Sequence, residues 1–169
     1  MRTTTLLAIF FLLLSQGSIS QERRNYIYMD VAPIGASIAH GTIESKFTPV
    51  NKIYANLNAS ERAAFHALYE EVKDGDEPPF PLEGLRPVFR QLMPILVALR
   101  VSGQATLFIA VDSDGKATGL RIGKGSTPEI TKYLSQIIAN TRFKPAICGG
   151  KRCAMEFPLE ITVELPYPK

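Results

Sequence analysis

"GQATLFIAVDSDGKATGLRIGKG", Gly103–Gly125, is the stretch on which the fold turns. Ala105, Leu107, Ile109 and Val111 hold the odd positions with mostly polar neighbours between them, the period-two pattern of a strand with one buried face. Asp114-Gly115 is a two-residue hairpin signal, because glycine takes positive φ freely and aspartate tolerates it. A turn closed there opposes Ser113 to Lys116, and so Ile109 to Leu120 and Leu107 to Ile122. Every opposed pair then shares one apolar face. The same "DSDG" resembles the start of a calcium loop, but its glycine comes at position four instead of six and Lys116 takes a ligand position. A plain turn is the expectation.

Outward from the hairpin, "STPEITKYLSQIIANTRF" predicts a helix capped by Thr127, with Pro128 at its first position and Glu129 in its first turn. Ile130, Tyr133, Leu134, Ile137 and Ile138 form its apolar stripe, with Lys132, Gln136 and Asn140 opposite. The last segment is a long strand: Cys153, Met155, Phe157, Leu159, Ile161, Val163 and Leu165 alternate with Glu156, Glu160, Thr162 and Glu164. Pro158 has no backbone donor, so this strand should be an edge or be broken there. The fold class expected is α+β, with a small antiparallel sheet of hairpin and long terminal strand packed against one helix, preceded by additional N-terminal helices.

Those earlier helices are read in residues 57–100. "NASERAAFHALYEEVKDGDEPPFP" suggests a helix from Ser60 to Lys73, capped by Ser60, striped by Ala64, Phe65, Leu68 and Val72, and closed by Gly75. His66 falls on its polar side and reads as a solvated histidine. Leu85, Val88, Phe89, Leu92, Leu96 and Leu99 stripe a second helix with a kink at Pro94. Residues 21–56 read as an arm of unknown order holding His40, with "NYIYMDV" a candidate strand.

Residues 1–20 carry Arg2, an apolar run from Leu6 to Leu14, and Ser18 and Ser20 before Gln21, the pattern of a secretory signal peptide. The run is too short for a spanning helix, which needs ~20 apolar residues. A mature chain starting at Gln21 has no membrane span and works in the periplasm or outside the cell. Without Arg2 it holds 18 basic against 16 acidic residues, too even a balance to suggest nucleic acid.

Export also bears on the two cysteines, Cys148 and Cys153, which flank "GGKR". Disulfides persist outside the cytoplasm, whereas a cytosolic pair suggests metal or redox chemistry. Two thiols and two distant histidines are poor material for a four-ligand zinc site, and thiol oxidoreductases space their pair by two residues. A disulfide clip is the expectation, with "GGKR" as the hairpin loop. Strict pairing of Cys148 with Cys153 would put Lys144 on the apolar face and Phe143 off it. A backbone irregularity at Lys144-Pro145 restores Phe143 to the core. The chain holds no Gly-x-Ser-x-Gly elbow, His-Glu-x-x-His helix or phosphate loop, so it reads as no enzyme, with no cofactor and no metal.

Four features in order, across about residues 77–165, resemble the C-terminal domain of TonB and TonB-like periplasmic proteins. They are "EPPFP", the Gly-led strand with its Asp-Gly hairpin, the helix running into "RFKPA", and the terminal strand. The resemblance implies a domain at 101–169 that meets envelope partners in outer-membrane transport, where a receptor peptide adds as a strand to the terminal strand. Carried over, the pairing strand is Phe157, Leu159, Glu160, Ile161, Thr162, Val163, Glu164 and Leu165. Asp76, Glu77, Pro78, Pro79, Phe80 and Pro81 correspond to the stretch that helps meet the receptor. A full energy transducer keeps its membrane anchor and a Pro-rich spacer, and this chain shows a cleavage pattern and no such spacer. Residues 82–100 insert a helical stretch placed to cover part of the docking edge. The partner implied is a protein of the cell envelope, such as a TonB-dependent outer-membrane receptor. The competing expectations are a secreted inhibitor or immunity-type partner on the same scaffold, and a homodimer through the terminal strand.

Overall fold

The computed structural model describes residues 26–29, 41–70, 72–73 and 75–166. The signal-peptide pattern and His40 lie outside the described residues. The strands are β1 (Tyr26–Met29), β2 (Thr42–Ser45), β3 (Phe80–Pro81), β4 (Gly103–Val111), β5 (Ala117–Ile122), β6 (Phe143–Lys144), β7 (Ala146–Cys148), β8 (Lys151–Cys153) and β9 (Met155–Glu164). The helices are α1 (Ala59–His66), α2 (Arg86–Leu99) and α3 (Pro128–Ala139). The class is α+β, with an antiparallel five-stranded sheet in the order β1-β2-β9-β4-β5.

The alternation read along β4 and β9 is what builds the core. Ala105, Leu107, Ile109, Val111, Phe157, Leu159, Ile161 and Val163 all turn to one face and are buried. Three helices, where one was expected to cover the sheet, supply buried side chains to the same core: α3 brings Ile130, Leu134 and Ile138, α2 brings Val88, Phe89, Leu92, Met93 and Leu96, and α1 brings Phe65. The α2 helix runs on through Pro94, and Leu99, at the end of its expected stripe, is exposed. Each large apolar side chain buried this way contributes about 1.5–3 kcal/mol.

At the β4–β5 hairpin the outer register is the expected one, with Ile109 opposite Leu120 and Leu107 opposite Ile122. The turn itself differs. Asp112 pairs with Lys116 around Ser113-Asp114-Gly115, because the Asp112 carboxylate accepts the N–H groups of Asp114 and Lys116, both at 2.9 Å. This three-residue loop shifts the register by one, and an extra residue at Thr118, a β-bulge, shifts it back. Leu120 and Ile122 share the face of Ile109 and Leu107, yet the sheet ends at β5 and leaves them 38% and 56% exposed.

The first helix is shorter than its apolar spacing suggested. It starts one residue before Ser60, where Asn58 accepts from the Glu61 N–H and the Glu61 carboxylate accepts from the Asn58 N–H, a full capping box. It ends at His66, not Lys73, and Gly75 lies beyond it with φ +89°. Phe65 is the helix's buried anchor, and it meets Phe80 and Phe157 with ring centroids 5.3 and 5.9 Å away. Phe143 joins the same cluster, 5.6 Å from Phe157.

Candidate docking edge

In an antiparallel ladder, alternate residues aim their N–H and C=O groups at opposite neighbours. The Lys46 N–H donates to the Glu160 carbonyl at 3.0 Å, so Glu156, Pro158, Glu160, Thr162 and Glu164 face the β2 side of β9. The odd residues face β4, which pairs with β9 along its whole length, from Gly103 opposite Val163 to Val111 opposite Met155.

The terminal strand was expected to be free on its other side, and half of it is not. β2 pairs there, with Thr42 opposite Glu164, Ile43 opposite Val163, Glu44 opposite Thr162 and Ser45 opposite Ile161. A 2.6 Å ion pair between Lys46 and Glu160 follows the last rung, and the Leu165 N–H donates to Ser102 Oγ at 3.1 Å. The arm, not the 82–100 helix, therefore covers this edge. A homodimer through the terminal strands meets the same obstacle. Phe157, Leu159, Ile161 and Val163 are committed to the core, so the side chains on the open face are those of Glu160, Thr162 and Glu164, with Pro158 and Glu156 further along the strand.

Pro158 neither breaks β9 nor marks a whole edge strand. Its nitrogen faces the β2 side at a level that β2, ending at Ser45, does not reach, so no ladder bond is lost. This end of β9 opens onto a groove of about 580 Å³, lined by Leu68, Tyr69, Val72, Phe108 and Pro158 among others. Arg121 lies in the groove wall, stacked 3.8 Å from the Phe108 ring centre and bonded to Glu156 at 2.8 Å.

Asp76–Pro81 is tied to the segment before β9 and not to β9 itself. Glu77 and Ile147 exchange backbone hydrogen bonds of 2.9 and 2.8 Å, Phe80 lies opposite Lys144, and Pro81 lies opposite Phe143. The Asp76 carboxylate accepts the Gly149 N–H at 2.8 Å, and Glu77 pairs with Lys144 at 2.9 Å. Pro78, Pro79, Phe80 and Pro81 are buried, so four of the six residues expected to meet a receptor face inward.

The cysteines are joined, with Cα atoms 5.9 Å apart, but not as a directly opposed pair. Gly149 and Gly150 alone make the turn, both at positive φ, which sets Cys148 opposite Lys151 and Cys153 opposite Ala146. The bond runs diagonally across this ladder. The strand is interrupted at Pro145, with β6 ending at Lys144 and β7 starting at Ala146, but no bulge is inserted there: Pro81 opposite Phe143, Phe80 opposite Lys144 and Glu77 opposite Ile147 keep one register. Phe143 is buried without the register shift expected.

His66 is not a solvated surface residue. Its Nε2 lies 2.9 Å from the Tyr54 hydroxyl, with the two rings stacked, and burial lowers its pKa while raising that of Tyr54. The Lys144 ammonium sits 4.5 Å from the Tyr54 ring centre. These contacts join α1 to β6 through Tyr54. Among the described residues, no three of His, Cys, Asp and Glu are grouped to hold a metal ion.

The residues missed from the sequence are those of β2. "TIES" has one strong apolar residue, Ile43, and its second inward position is Ser45, so the alternation was too weak to read. Gly41 gives a further sign of close packing, since a Cβ there would stand 2.6 Å from Leu165 Cδ2.

Fold and site together define an α+β domain whose terminal strand is paired over Ile161–Glu164 by Thr42–Ser45 of the chain's own arm. No known family model matches the chain, and no curated protein matches it.

Proposed function

We propose that this chain is an exported, TonB-like binding module that takes up an extended segment of a cell-envelope protein at the β2 side of β9. One observation carries this: Ile161–Glu164 already pairs with a short strand, Thr42–Ser45, whose fit is poor. Of the two β2 side chains turned inward, Ser45 is buried and its hydroxyl finds no hydrogen-bond partner among the described residues. Such a group costs about 1–3 kcal/mol. A partner strand with an apolar residue at that level fits the site better than the arm does. The affinity then comes from the backbone ladder, as in other strand additions. The disulfide supports work outside the cytoplasm, and among the described residues no helix is long and apolar enough to cross a membrane.

The partner class the resemblance implies is the N-terminal segment of a TonB-dependent outer-membrane receptor. Titrating such peptides into labelled protein should move the Glu160, Thr162 and Glu164 amides and release those of Thr42–Ser45 from the ladder. Ser45→Val removes the orphaned hydroxyl, strengthens the arm, and should weaken peptide binding about tenfold, the ratio expected for ~1.4 kcal/mol. Unmoved Phe157–Leu165 amides at millimolar peptide would overturn the assignment. The exported protein should begin at Gln21.

A further inference from the structure

The opposite end of the sheet is bare, and its chemistry differs. β5 is the outermost strand at this end, and residues 118–122 are all exposed. The Gly123 N–H donates to the Thr106 carbonyl at 2.8 Å, so the odd residues of this strand face β4. The backbone groups of Leu120 and Ile122 therefore point away from the sheet. Their side chains lie on the α3 side, beside a groove of about 220 Å³ lined by Ala117, Gly119, Leu120, Ser135, Ile138 and Ala139.

We propose that β5 is a second docking edge, fitted to an extended segment of a partner protein with alternating apolar residues and acidic flanks. The free Leu120 and Ile122 amides and carbonyls supply the ladder. The partner's apolar side chains extend the Leu120–Ile122 face over the α3 groove. Charge selects the occupant: Lys116 and Lys124 bracket the strand, no acidic residue lies between them, and Arg121 is already bonded to Glu156. A second copy of this strand is disfavoured by the same charges. Set antiparallel about Arg121, it places Arg121 against Arg121; set about Leu120, it places Lys116 against Lys124. Basic residues on an open edge guard against self-pairing and leave it open to an acidic strand. Docking here needs no displacement of β2, so it stands apart from uptake at β9.

The probe is a short peptide of alternating valine and threonine with two aspartates at each end, titrated into labelled protein at low salt. The expected result is movement of the Leu120 and Ile122 amides, with lysine-ended peptide binding about tenfold more weakly. Ile122→Pro deletes one outward donor and should weaken binding about tenfold while leaving the β4 ladder intact. Should that variant unfold, Lys116→Glu with Lys124→Glu reverses the edge charge and should abolish the preference for acidic ends. Three results would overturn the proposal: Leu120 and Ile122 amides unmoved by the peptide, equal affinity for both peptides, or amides already protected from exchange in the free chain. Shifts confined to Phe157–Leu165 would also overturn it, while leaving the β9 proposal standing.

Discussion

Two tight hairpins flank the folding unit, and they are held in opposite ways. The β4–β5 turn is anchored against the fold at one point: Ser113 and Asp114 are exposed, but Gly115 is buried at φ +78°, the Phe143 N–H donates to its carbonyl at 2.9 Å, and Lys116 bridges to Arg142. The β7–β8 turn stands in solvent, with Gly149 and Gly150 exposed, and is held by a covalent bond and by the Asp76 carboxylate. A hairpin against a core is positioned by contacts. One that projects from it needs a clip.

The same substitution in both turns is the sharpest test of this contrast. A Cβ on Gly115 would lie 2.0 Å from the Phe143 carbonyl oxygen, in a backbone conformation that already disfavours L residues. Gly115→Ala should therefore cost about 3 kcal/mol or more, read as a lower urea midpoint with unchanged slope. Next in size is the clip. Cys148→Ser with Cys153→Ser opens a loop whose ends are five residues apart, and the chain-entropy model gives about 2 kcal/mol for so short a closure. Gly149→Ala meets nothing within 4 Å, so only the conformational cost at φ +55° remains, about 1 kcal/mol. Equal losses for the two alanine variants would break the comparison.

The hairpins also show what a sequence of this kind discloses. Strong local signals were legible: the Asp-Gly turn placed β4 against β5, the apolar alternation of β9 held through Pro158, and Pro145 interrupted the ladder. Yet the turn was read one residue short, because the side chain of Asp112 closes a wider loop and Thr118 hides the shift. Gly149-Gly150 was itself a turn signal, outweighed by the symmetry of the cysteines. The edge proposed for docking was chosen by resemblance, and its pairing with β2 was illegible. The pairing of Thr42–Ser45 with Ile161–Glu164 joins distant parts of the chain through backbone hydrogen bonds, to which almost any residue contributes. The exposed state of Leu120 and Ile122 was hidden for a related reason: sequence alternation marks a face, not how far the covering helix reaches.

The smallest effect expected concerns acid. The Lys116 N–H, and after it those of Asp114 and Gly115, hold the Asp112 carboxyl below the usual 3.8 by hydrogen bonding to its charged form. A pKa depressed by folding stabilises the folded state above the unfolded value, and that contribution disappears as pH falls through the folded pKa. The β4–β5 turn should thus loosen only at pH below about 3.8, seen as faster amide exchange at Asp114 and Lys116. Asp112→Asn keeps the acceptor oxygen and removes the titration, so its turn amides should stay level across the same range. The projecting β7–β8 turn leans on a different carboxylate, so its exchange should be unaffected by Asp112→Asn. A change there on that substitution would mean that the two hairpins are coupled, against the separation drawn from their packing.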